Sequence, residues 1–250
     1  MSDFERGHAR SIPQTGDMSI DAGLRSFMLG VYNKMMLGLL WSAALAYATS
    51  SIEPVARMLY VLSPEGALQG FTPLGKIVGF APLAMVLVVM FTARNMTARS
   101  SGIYYWALVT AIGAGLGVWL LAYTGASVFM TFLITATAFG ALSLVGYTTK
   151  RNLSGFGSFL IMGVWGLIIA SLVNMFLKQP ALYWIINSLG VLIFAGLTAY
   201  DTQRLKMTYY DVQHSGEGMA VATNIGALNL YLDFINLFQF LLAFLGVRRD

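Results

Sequence analysis

Seven stretches of the chain are almost continuously apolar, at about 28–50, 74–93, 103–122, 126–146, 157–177, 182–203 and 227–246. Each is close to the length a helix needs to cross a hydrocarbon layer of roughly 30 Å at about 1.5 Å per residue. Most of the polar links between them are short, which predicts antiparallel neighbours. Two are longer: 51–73, with Pro54, Pro64 and Pro73, and 204–226, where Gly216 and Gly218 signal a turn. The pattern predicts an all-α polytopic membrane protein, with seven transmembrane helices in a domain over 27–250. Residues 1–26 are polar, mixed in charge and without an apolar run, so they predict a disordered cytoplasmic tail and no cleavable signal peptide.

The final stretch, ALNLYLDFINLFQFLLAFLG, differs from the other six. It carries Asp233 inside an apolar run, and Asn229, Asp233 and Asn236 are spaced to share one helix face, which Gln239 extends. A carboxylate at a helix centre costs about 2.5–3.5 kcal/mol on insertion scales, so it turns towards protein or water. A central C-terminal helix, ringed by the others, follows from this. Its expected partner is Asp201, in FAGLTAYDTQRLK on the preceding stretch. A turn roughly midway between the two acids would bring them to similar depth if the helices run antiparallel.

Composition agrees with the pattern: 57% of residues are hydrophobic and 10% charged. With no cysteine, disulfides, thiolate metal sites and cysteine nucleophiles are excluded. The net charge of +4 sits beside the apolar stretches and reports topology rather than nucleic-acid binding. Arg25, Arg94, Arg99, Lys150, Arg151, Arg204 and Lys206 fall on one side, which predicts a cytoplasmic N-terminus. Arg248 and Arg249, on the other side, oppose this mildly. Lys34, near the inner end of the first helix, is expected to snorkel to the interface. Gly113 and Gly117 form a GxxxG packing pattern. Neither a metallohydrolase, a P-loop nor a nucleophile-elbow motif occurs. No resident cofactor is expected and the chain is not read as an enzyme.

Two acids close together in a low-dielectric interior cannot both ionise cheaply, and they titrate as a unit. Three readings are open for Asp201 and Asp233. They could form a pH-gated cation path. They could serve an intramembrane aspartyl protease, as Tyr200–Asp201 suggests, although no Gly-x-Gly precedes Asp233. They could be a structural lock in a protein that binds other membrane proteins. Arg94, at the inner end of the second helix, is a possible latch on either carboxylate.

The segments LRSFMLGVYNKMMLGLLWSAALAY, YTTKRNLSGFG, GLTAYDTQRLK and LYLDFINLF together resemble the transmembrane Bax inhibitor motif family, most closely its bacterial inner-membrane members. The resemblance covers nearly everything after residue 24. It implies a seven-helix fold with a central last helix and a pH-sensitive calcium leak with a di-aspartyl sensor, mapped here to Asp201 and Asp233. It also implies an arginine latch, for which Arg94 is the positional match, and contact with membrane proteins such as a protease. Calcium would be the permeant ion, bound weakly and transiently by the two aspartates. Asn229 and Asn236 would add polar lining, since calcium favours oxygen ligands.

Overall fold

The computed structural model describes residues 22–92 and 95–249. Among these the chain forms α1 (Ala22–Ser51), α2 (Glu53–Leu59), β1 (Tyr60–Leu62), β2 (Leu68–Phe71), α3 (Pro73–Thr92), α4 (Ala98–Ala122), α5 (Gly125–Thr148), α6 (Ser154–Leu177), α7 (Pro180–Val212) and α8 (Gly216–Leu245). The fold is all-α apart from one small antiparallel hairpin, in which Tyr60 pairs with Phe71 and Val61 with Gly70. Five helices, α4 to α8, are long and apolar enough to cross a membrane. A sixth is gained if α1 and α2, bent by 92° at their junction, count as one span, and α3 contains a shorter apolar helix, Pro73–Val89.

Local chemistry fixes the helix ends. Thr97 and Ser100 form a reciprocal capping box at the start of α4. Pro180 opens α7, where a missing N–H costs nothing. The Ser215 hydroxyl accepts from the Gly218 amide at the start of α8. The 204–226 segment is therefore not the open connector that its polarity predicts. α7 continues to Val212 and α8 begins at Gly216, leaving Gln213, His214 and Ser215 as the turn. The 51–73 link is likewise ordered, by α2 and the hairpin.

α8 is the most enclosed helix, with half of its apolar window buried, against 11% for α6. Four helices pack directly on it: α1, α4, α5 and α7. α3 packs on α4 and α6 on α7, so these two lie further out than a full ring around α8 would place them. α6 turns Phe159, Met162 and Phe176 outward, as a lipid-facing helix does. α8 runs unbroken from one end of the bundle to the other, alongside α4. Near its start, Asn224 donates to the Ala98 carbonyl at 3.1 Å, and just past its end the Arg249 amide donates to Ala122 at 3.0 Å. These two contacts hold α8 beside α4 at both ends.

Close packing follows the glycines where backbones meet. A Cβ added to Gly113 would lie 2.7 Å from the Ser42 Cα, and one on Gly117 would lie 3.2 Å from the Ala46 carbonyl oxygen, so both glycines of the GxxxG pattern seat α4 on α1. Gly146 does the same for α5 on α7, where a Cβ would come within 2.9 Å of the Ala199 Cα.

Candidate functional site

α8 presents two different faces. Towards α1 and α4 it carries Asn224 and Tyr231, seven residues apart and so in line on the helix. Asn224 accepts a hydrogen bond from the Lys34 ammonium and donates to the Ser101 hydroxyl at 2.8 Å. Tyr231 shares a 2.7 Å hydrogen bond with Ser42, whose hydroxyl also reaches the Val109 carbonyl at 3.1 Å. Lys34 also lies 5.1 Å from the centre of the Tyr105 ring, and Tyr105 donates back to the Lys34 carbonyl at 2.7 Å. Lys34 is thus a tie between α1 and α8. On this half-buried side chain the ammonium meets its partner beside the first turn of α4, at one end of the bundle.

Asp233 lies two residues past Tyr231, roughly 160° round the helix, on the face that meets α7. Side-chain contacts set the register there. Gly226 packs against Leu205, and Phe240 stacks on Phe194 with ring centres 5.7 Å apart. Seven residues on from Gly226 is Asp233, and seven back from Leu205 is Thr198. Asp201 is three residues from that point, about 4.5 Å along the axis. The two acids therefore meet within one turn, and the Coulomb field of Asp201 reaches Asp233. No hydrogen bond joins the two carboxyl groups among the described residues.

Their surroundings are unequal. Asp233 is only 4% exposed, and its Oδ2 is fully buried with no hydrogen-bond partner. Asp201 is partly exposed and feels the charge of Arg204, one turn further along α7. Beside Asp201, Thr202 donates to the Thr198 carbonyl at 2.8 Å and lies 3.3 Å from the Ser143 hydroxyl and 3.5 Å from that of Tyr32. A polar column from α1, α5 and α7 therefore lies beside the acids.

The other expected residues divide. Asn236 shares the Asp233 stripe, but its amide donates to Leu232 of its own helix at 2.8 Å, leaving only its carbonyl oxygen for a ligand. Asn229 is half-buried and makes no side-chain hydrogen bond among the described residues. Arg94 lies outside the described residues. Among the described residues Arg204 acts on Asp201 through its charge, and the i, i+3 spacing in Asp-Thr-Gln-Arg is its signal in the sequence. Among the described residues no three of His, Cys, Asp and Glu converge as a metal cluster. The donors brought close are the two carboxylates, which can exchange protons or hold a hard cation weakly.

Comparison with known proteins gives the family of the chain. The family described as "Inhibitor of apoptosis-promoting Bax1" matches residues 24–250. An uncharacterized protein of Caulobacter vibrioides is 61% identical over 251 residues, spanning the whole of both chains. An uncharacterized protein of Rickettsia prowazekii is 41% identical over 93% of this chain and 94% of its own. The inner membrane protein YbhL of Escherichia coli is 40% identical over 91% of this chain and 94% of its own. With helices fit to span a membrane and a family match over nearly its full length, the chain belongs to the Bax inhibitor family of membrane proteins.

Proposed function

We propose that this protein is a pH-sensitive cation leak of the bacterial inner membrane, with seven crossings, a cytoplasmic N-terminus and calcium as the permeant ion. Asp201 and Asp233 are its sensor and gate. The observation that carries this reading is the orphaned Oδ2 of Asp233, buried beside a second acid. A carboxylate oxygen in an apolar interior with no donor is costly unless it holds a proton or binds a cation. Protons and cations therefore compete for the same oxygens, which makes the α7–α8 contact responsive to both. With one proton shared, the helices stay closed. With both acids charged, their repulsion in low dielectric loosens the contact, or a divalent cation bridges them. Flux accordingly rises with pH.

Calcium flux into vesicles containing the purified protein, measured across pH, tests this. Asp233→Asn and Asp201→Asn should each abolish the pH dependence. Flux no greater than in empty vesicles at every pH would overturn the reading in favour of a non-conducting partner of other membrane proteins, for instance a protease.

A further inference from the structure

At the end of the bundle where α5 hands over to α6, the loop 149–153 folds over α7. Gln203 fastens it there, accepting from the Leu153 amide at 2.8 Å and donating to the Arg151 carbonyl at 2.7 Å. Between loop and helix is a cavity of about 150 Å³, with Lys150, Arg151, Arg204 and Lys206 in its lining. No acidic residue lines it. None of the four cations forms a salt bridge with a carboxylate among the described residues. Lys206 is buried and fixed, with its ammonium on the Tyr147 carbonyl and 4.9 Å from the centre of the Tyr147 ring. Ser154, the first residue of α6, also lines the cavity, so the positive end of that helix dipole points the same way.

Four positive groups line one small cavity, Lys206 fixed and the other three on exposed side chains, and together they favour an anion there. The volume is well below the roughly 300–1,000 Å³ of a pocket for a whole small molecule, and suits one phosphate group. The cavity also lies at the edge of the apolar surface: Leu144 and Val145 of α5 and Phe156 of α6 are exposed within two turns of it. A phosphodiester seated there could leave its acyl chains along those side chains. We propose that this cavity binds the headgroup phosphate of an anionic phospholipid, with Lys150, Arg151, Arg204 and Lys206 as its ligands. Basic pockets between membrane helices recognise lipid headgroups by this chemistry. Because Arg204 also acts on Asp201, an occupied pocket would draw on the same charge. That link rests on the leak reading, whereas the lipid site does not.

Native mass spectrometry of the full chain in detergent, with phosphatidylglycerol and phosphatidylcholine added in turn, tests the site without measuring flux. Phosphatidylglycerol should be retained in preference, and the double variant Lys150→Gln, Arg151→Gln should lose roughly fivefold per charge removed. Lys178→Gln, an α6 C-terminal change at the opposite end, should leave the preference intact. In the unaltered protein, raising the ammonium acetate concentration should erode it. Equal retention of the two lipids, or a preference indifferent to salt, would overturn the proposal whether or not the double variant folds. Inorganic phosphate displacing the lipid at equal concentration would overturn the assignment to a lipid in favour of a free anion.

Discussion

The two faces of α8 solve the problem of polar groups in an apolar bundle in opposite ways. Facing α1 and α4, Asn224 and Tyr231 are matched by Lys34, Ser101, Ser42 and the Ala98 carbonyl. Each of these contacts ties helices far apart in sequence. Facing α7, Asp233 has a buried oxygen with no donor and an acid within one turn of it. A satisfied polar network rigidifies, while an unsatisfied one stores a cost that a proton or cation can relieve. One helix thus carries an anchor on one side and a responsive element on the other. The anchor has one geometry to hold, and the acidic face has at least two states to choose between.

Substitutions on the anchored side should therefore dominate stability. Gly113→Leu puts a side chain where α4 touches the α1 backbone at Ser42. Overpacking of this kind costs about 3 kcal/mol, read as a lower thermal unfolding midpoint in detergent. An unchanged midpoint would mean that α1 and α4 are not held together at this contact, and the contrast between the faces would weaken.

Asn224→Leu should come next. It takes the acceptor from the Lys34 ammonium and the donor from the Ser101 hydroxyl and the Ala98 carbonyl, at a cost of about 2 kcal/mol. Lys34→Met in the same background should recover part of the loss, since the cation then has no partner to miss. Without recovery, the Lys34–Asn224 tie carries no energy. Tyr231→Phe removes one hydrogen bond to Ser42 and keeps the ring, so it should cost about 1 kcal/mol. Pairing it with Ser42→Ala should add little, because the two changes break the same contact.

The acidic face was the more legible of the two in the sequence. A carboxylate within an apolar run stands out by composition, and its spacing from Asn229 and Asn236 gives the face directly. The anchored face was hidden because its partners are long-range: Lys34 and Asn224 are 190 residues apart, and nothing near Lys34 names the acceptor. Hydropathy also misjudged 204–226, because it reports preference for lipid rather than for helix. Residues such as Leu205, Met207, Tyr209 and Tyr210 can continue a helix whether or not it lies in lipid. Arg204 reads in the sequence as a positive-inside charge, and only the helix puts it one turn from Asp201.

Asp233→Asn should have the smallest effect on stability and the clearest effect on function. The substitution keeps the shape and removes the charge from a site where one carboxylate oxygen has no partner to lose. Replacing an uncompensated ionisable group by a neutral one is neutral or stabilising, so the unfolding midpoint should equal or exceed that of the unaltered protein. Asp201 would then no longer face a second charge, and the variation of the midpoint with pH should shrink to what Asp201 alone contributes. If Asp233→Asn instead unfolds the protein as Asn224→Leu does, the acid is a structural bond like those on the opposite face. The division of labour across α8 would then be gone, whatever the flux measurements report.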